Sequence, residues 1–75
     1  MKPATLQTLF LLRAHPEGVT QLDALREIGS FRLGARVWEL KAEGYVIETR
    51  WVETFSGKRI ASYVLHETVQ TAAFG

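Results

Sequence analysis

The chain has 75 residues, a net charge of +1 and no cysteine. This length suits one small domain, and the lack of thiols excludes disulfides and cysteine-based metal sites. No run approaches the ~18 apolar residues of a membrane span, and Arg13 interrupts the first apolar stretch too early for a signal peptide. We therefore expect a cytoplasmic protein, complete from Met1, whose small core would gain from dimerisation.

The first predicted helix covers residues 4–14. Pro3 suits its first turn, where a missing N–H costs nothing. Leu6, Leu9 and Phe10 recur at helical spacing and mark its expected buried side. Val19 follows a break that contains Pro and Gly and connects it to the next helix. This connection is either irregular or a single short strand that pairs with another strand.

The next segment predicts a helix followed by a tight turn. The helix spans residues 20–28, with Thr20 as its N-cap and Asp23 in the position that completes a capping box. Gly29 provides the left-handed residue that ends it. Residues 29–31 then form the turn.

A third helix is predicted over residues 32–43. Ser30 is expected to cap it or to donate to a phosphate, and Gly44 ends it. One side carries an apolar stripe at intervals of four and three residues, which indicates the side that meets the core. The members of this stripe are Leu33, Val37 and Leu40.

Two β-strand patterns, 45–53 and 59–65, flank a three-residue loop in which Gly57 is left-handed. This loop places Glu53 opposite Arg59. The face expected to meet the helices contains Ile47, Trp51, Tyr63 and Leu65, and the outer face contains Val46, Val52, Ile60 and Val64.

The order of these elements predicts an α+β fold. It is a winged helix-turn-helix, with three helices followed by a two-stranded β-hairpin wing. We assign residues 1–66 to this domain and residues 67–75 to a C-terminal tail that frays or docks as a short helix.

Basic residues concentrate in the second half of this pattern. Residues 30–60 hold six bases and four acids, whereas the rest of the chain has one more acid than bases. Arg32 and Arg36 begin the third helix, where a guanidinium can bind phosphate or guanine, and Arg36 can instead pair with an acid on its own helix. Lys58 and Arg59 at the wing tip are expected to reach the DNA backbone.

The outer hairpin face is more apolar than a solvated wing requires, which indicates a partner surface. The predicted partner surface consists of Val52, Ile60 and Val64 on the hairpin, together with Trp38 on the third helix. For Trp38 we also expect packing against Trp51 or the base of the hairpin. Glu39 on the same helix face disfavours close approach to phosphates.

Catalysis and ligand chemistry find no support in the sequence. It has no nucleophile–base pair and no glycine-rich phosphate loop, and His15 and His66 lie on separate segments without a carboxylate cluster. We expect no enzyme activity, no metal, no cofactor and no small-molecule substrate.

Several segments resemble a family of small winged helix-turn-helix proteins common in bacteriophages and prophages. The similar stretches read VTQLDAL, IGSFRLGARVWELKAEGYVIET and GKRIASYVL, within roughly residues 6–65. The resemblance implies a DNA-binding repressor, excisionase-like architectural factor or accessory regulator. It also implies DNA-facing positions, which correspond to Ser30, Arg32, Ala35, Arg36, Lys58 and Arg59.

We therefore expect a double-stranded DNA-binding protein of phage type, acting in the host cytoplasm as a dimer or cooperatively. The alternative is a protein–protein module, such as a phage-encoded inhibitor of a host enzyme or nucleoid protein. A weaker alternative is single-stranded nucleic acid binding by stacking on Trp51, Phe55 and Tyr63.

Overall fold

A computed structural model describes residues 1–67 as three helices and one antiparallel sheet of three strands. The helices are α1 (Pro3–Ala14), α2 (Gln21–Ile28) and α3 (Leu33–Ala42), and the strands are β1 (Val19–Thr20), β2 (Val46–Glu53) and β3 (Arg59–His66). The sheet order is β1-β3-β2. The predicted winged-helix architecture is confirmed, and the short strand β1 adds a third strand to the predicted hairpin.

The start of α2 has the predicted capping box. The Thr20 hydroxyl accepts from the Asp23 backbone N–H at 3.2 Å, and the Asp23 carboxylate accepts from the Thr20 N–H at 3.0 Å. These bonds satisfy donors that the first turn of a helix leaves without partners. Gly29 ends the helix in the left-handed conformation, with φ 65°.

The hairpin has the register that the three-residue loop predicts. Glu53 pairs with Arg59, Trp51 with Ala61, Thr49 with Tyr63 and Ile47 with Leu65. Gly57 is left-handed, with φ 81°. The Thr54 N–H donates to the Lys58 carbonyl at 2.8 Å and closes the loop.

The core lies where α1, α2 and α3 meet the base of the hairpin. On α1 the expected buried side is partly wrong, because Leu6 and Phe10 are exposed while Thr5 and Thr8 are buried. The Thr8 hydroxyl donates to the Ala4 carbonyl, so it enters the core already hydrogen-bonded. The buried apolar cluster consists of Leu9, Leu11, Leu12, Val19, Ala24, Leu33, Val37, Leu40 and Ile47.

Two residues of the hairpin lie in environments opposite to those predicted. Val64, placed on the exposed partner surface, is only 4% exposed, because the Gly18 backbone packs against its side chain and that of Ser62. Trp51, placed against the helices, is 60% exposed, because the hairpin continues past the helical layer. The predicted outer patch is therefore smaller than expected, and the wing carries an aromatic side chain in solvent.

The end of β3 is tied back to α1. Glu67, the first residue of the predicted tail, forms a two-pronged ion pair with Arg13, with N···O distances of 2.8 and 2.7 Å. Both side chains remain exposed, so the pair contributes little to stability. The expectation that Val69, Ala72, Ala73 and Phe74 dock as a helix lies outside the described residues.

Candidate nucleic-acid interface

The N-terminus of α3 is positioned by a side chain from α2. The Gln21 side-chain oxygen accepts from the Leu33 backbone N–H at 2.9 Å, and its amide nitrogen donates to the Ser30 carbonyl at 2.5 Å. The prediction that Ser30 caps α3 is wrong, because its hydroxyl only reaches the Arg32 N–H, at 3.4 Å. No local pattern pointed to Gln21, since its partner lies 12 residues away in the chain.

The outward side of α3 is apolar. Its inward stripe of Leu33, Val37 and Leu40 is buried as predicted, and Ala35, Trp38 and Ala42 lie on the opposite side, in solvent. Trp38 exposes 70% of its surface, so the expected packing against Trp51 or the hairpin base is wrong. Trp38 instead lines an open groove of about 400 Å³ with Met1 and Ala42.

Glu39 is held against α1. Its carboxylate accepts from the Thr5 hydroxyl at 2.5 Å and lies 3.4 Å from the Lys2 ammonium. The hydrogen bond from Thr5, with help from the nearby cations, lowers the pKa of the Glu39 carboxyl below its ordinary value. Glu39 therefore stays ionised, but Lys2 and Arg36 offset its negative charge, which weakens the sequence-based objection to phosphate contact along α3.

Arg36 shares the same cluster. Its Nε lies 3.5 Å from a Glu39 carboxylate oxygen, and its side chain is only 19% exposed. The Nε atom is buried and makes no hydrogen bond, because the ion pair is too long and poorly aligned for one. The structure thus shows the intrahelical pairing that the sequence left as the alternative to DNA contact for Arg36.

The wing tip presents two cations in a closed loop. Lys58 and Arg59 are both exposed, next to the turn at Gly57. Arg59 lies opposite Glu53 in the register, yet within residues 1–67 no ion pair joins the two. Phe55 at the same tip is fully exposed.

Ion pairing leaves a small set of charged side chains without partners. Within the part of the chain that the structure describes, four Lys and Arg side chains form no ion pair, and two carboxylates contact neither a cation nor a histidine. The carboxylates are Glu43 and Glu53. The cations are Arg32 and Lys41 on or beside α3 and Lys58 and Arg59 on the wing. Because these two carboxylates lie on the same elements, ion pairing leaves a surplus of two positive charges on the helix and hairpin predicted to face DNA, although the net charge is only +1.

The predicted partner surface is not one continuous patch. Val52 is exposed and pairs with the half-buried Ile60, but the buried Val64 is unavailable, and Trp38 belongs to the α3 groove. What remains on the hairpin is a small apolar pair.

The histidines and acids of the described residues lie apart from one another, except in two pairs. Among residues 1–67, no group of three or more His, Asp or Glu side chains could hold a metal ion. His15 contacts Glu17, and His66 contacts Glu48, each as a separate pair. Over the same residues, no helix has both the length and the apolar character needed to cross a bilayer.

Comparison with known proteins gives one match. A family model described as "Winged helix-turn-helix domain" matches residues 6–68 of the chain. This range includes every helix and strand except the first residues of α1. No curated protein and no solved structure matches the chain significantly.

Proposed function

This chain belongs to the winged helix-turn-helix family, and on that basis we propose that it binds double-stranded DNA with α3 in the major groove and the wing tip on the backbone. The observation that carries this proposal is the set of four unpaired cations on these two elements. Domains of this family are typically DNA-binding and non-enzymatic, so we propose action by occupancy, without catalysis.

The biological role we propose is that of a phage or prophage regulator, or of an excisionase-like architectural factor, in the host cytoplasm. Support comes from the small size of the chain and from the resemblance of its helix-turn-helix segment to phage proteins. A domain with so few phosphate contacts gains affinity by binding as a dimer or cooperatively. Light scattering of the protein alone and on DNA measures this stoichiometry.

The test is fluorescence anisotropy with a random-sequence duplex over a salt series. Four phosphate contacts predict that log K falls against log salt with a slope of roughly −3 to −4. Arg32→Ala should reduce the slope by about one and weaken binding at every sequence. The matched control is Arg26→Ala, which removes the same charge from an α2 arginine that is paired with Asp23.

Two results would count against DNA binding. One is the absence of wild-type binding at the lowest salt. The other is an equal loss in the Arg32 and Arg26 variants, which would mean that only net charge matters.

The exposed Val52, paired with Ile60, favours a second candidate function, in which the hairpin docks a host protein. In that case Val52→Glu abolishes the biological activity while DNA affinity stays negligible for both proteins. Unchanged activity in the Val52 variant would dismiss this candidate.

A further inference from the structure

We propose that α3 recognises the C5-methyl groups of thymine, so that the preferred target of this domain is a duplex rich in thymine or another 5-methylpyrimidine. This inference rests on the proposed DNA-binding function. The reason is that some side chains of α3 are free to contact the DNA major groove, whereas others are engaged in contacts within the protein.

The outermost arc of α3 has almost no hydrogen-bonding groups. Ala35, Trp38 and Ala42 lie within about 60° of one another around the helix axis, opposite the buried stripe. The single polar atom among them is the indole N–H of Trp38, which can donate but not accept. The sequence of α3 contains no Ser, Thr, Asn or Gln.

Two polar side chains beside the N-terminal half of this arc are engaged within the protein. Glu39, a carboxylate that could accept from cytosine N4, is bound by Thr5 and flanked by Lys2, and the unpaired Glu43 lies beyond the other end of the helix. Arg36 is mostly covered and lies against the same carboxylate. Arg32 at the start of the helix forms no ion pair within residues 1–67, so its guanidinium is free to donate to a guanine or a phosphate.

The chemical groups that the bases expose in the major groove limit which bases this arc of α3 can recognise. Adenine is recognised by Asn or Gln, which α3 lacks, and cytosine by a free carboxylate, which it withholds. The thymine C5-methyl is the one apolar group among the major-groove edges of the four bases, and alanine is a suitable contact for it. Of the residues on the arc, Ala35 lies closest to Arg32, so the two can act on neighbouring base pairs.

Charge around the arc favours DNA as its occupant. Lys41 lies on the same helix, and Arg32 precedes it, both without ion pairs among the described residues. An apolar strip with two free cations beside it and, within the described chain, a single free carboxylate, Glu43, at its C-terminal end is complementary to a groove whose floor carries methyl groups and whose walls are phosphates. A protein partner for this strip is the outcome indicated if duplexes fail to bind.

The experiment compares pairs of duplexes that differ only in the methyl group. Anisotropy is measured at one low salt concentration with alternating d(AT), d(AU), d(GC) and d(G-5-methyl-C) duplexes of equal length. Each contacted methyl should strengthen binding about fourfold, from the transfer free energy of one buried carbon. We expect d(AT) to bind at least fourfold tighter than d(AU), and methylated d(GC) tighter than unmodified d(GC).

A variant assigns the effect to α3. Ala35→Ser places a hydroxyl at the contact and should bring the thymine-to-uracil ratio close to one, with the melting temperature nearly unchanged. Ala14→Ser is the matched control on the exposed end of α1, and it should keep the wild-type ratio.

The possible results separate this inference from the proposed function. Duplex binding that is equal with and without the methyl group overturns the inference and leaves DNA binding intact. A methyl preference that survives in Ala35→Ser overturns the assignment to α3. No binding to any duplex at low salt overturns the proposed function and the inference with it.

Discussion

At the residue scale, Gly18 has a role that its place in a polar turn does not reveal. It is buried, has φ 125°, and lies against the side chains of Ser62 and Val64. Side chains rarely adopt this backbone conformation, and a Cβ atom here would overlap the Ser62 hydroxyl. The close approach lets the turn reach the edge of β3, where β1 pairs, and it buries Val64.

We expect Gly18→Ala to lower the free energy of unfolding by about 2–4 kcal/mol, from backbone strain and overpacking together. Gly34→Ala is the control, because its Cβ would lie 3.7 Å from the Tyr63 hydroxyl, at ordinary contact distance. That change should stabilise α3 by about 0.5–1 kcal/mol. Urea unfolding measures both, and equal effects at the two glycines would refute this account.

At the element scale, side chains at the N-terminus of α2 do two things: they cap α2 itself, and they hold the start of α3. Asp23 and Thr20 close the capping box within the element, and Gln21 reaches across to hold the first turn of α3. The helix that we propose to face DNA is therefore oriented by the helix before it. Removing the Gln21 amide would free the start of α3 without touching its exposed arc.

The capping box predicts a pH dependence of stability. The hydrogen bond from the Thr20 backbone N–H lowers the pKa of the Asp23 carboxyl below its ordinary value. The Thr20 hydroxyl and Arg26 lower this pKa further, by smaller amounts. A lowered folded-state pKa means that the carboxylate stabilises the protein fully above its unfolded-state pKa of about 4. This contribution is lost as the pH falls through the lower, folded-state value.

Asp23→Asn should therefore destabilise the protein by about 1 kcal/mol at pH 7 and by progressively less as the pH falls below about 4. Glu27→Gln is the control, on the exposed side of the same helix. Thermal unfolding from pH 7 to pH 2 measures the difference between each variant and the wild type. A constant difference for Asp23→Asn over that range would contradict the capping account.

At the scale of the whole molecule, the hairpin is longer than the helical layer that supports it. Its strands of eight residues extend about 26 Å, whereas only their base meets the core. Ile47 near the base is buried, but Trp51, four residues further along the same face, stands in solvent. The longest dimension of the protein is 46 Å, against 25 and 19 Å for the other two.

This shape predicts unequal costs for two apolar truncations on one strand face. Ile47→Ala should lower the free energy of unfolding by about 2–4 kcal/mol, because it leaves a cavity in the core. Trp51→Ala should cost less, about 1–2 kcal/mol despite the larger side chain, since more than half of the tryptophan stays in water. Guanidinium unfolding of both variants decides this, and a large loss at Trp51 would mean that the wing folds back on the helices.

The exposure of Trp51 strengthens the alternative in which the hairpin binds single-stranded nucleic acid by stacking. The sequence makes stacking of single-stranded nucleic acid on the hairpin the weaker alternative, because it places Trp51 and Tyr63 in the core. Tyr63 does pack against the core, whereas Trp51 and Phe55 are exposed. Including a single-stranded oligonucleotide in the anisotropy series tests this option directly.

What the sequence alone determined is the set of local elements and their pairing. The capping box at Thr20, the stop at Gly29 and the hairpin register around Gly57 depend on backbone preferences and on neighbours a few residues away. The apolar stripe of α3 was predictable for the same reason, since helical spacing is a local property. These features were sufficient for the winged-helix fold and for naming α3 and the wing tip as the candidate site.

Which of those side chains are available to a ligand depends on contacts between segments that are far apart in the chain. Glu39 is withdrawn by Thr5, 34 residues earlier, and α3 is capped by Gln21, 12 residues earlier. Val64 is covered by a turn from the other end of the domain, and Trp51 is exposed because the helices end before the hairpin does. Burial and ion pairing depend on where distant segments stop and meet, and no pattern within one segment carries that information.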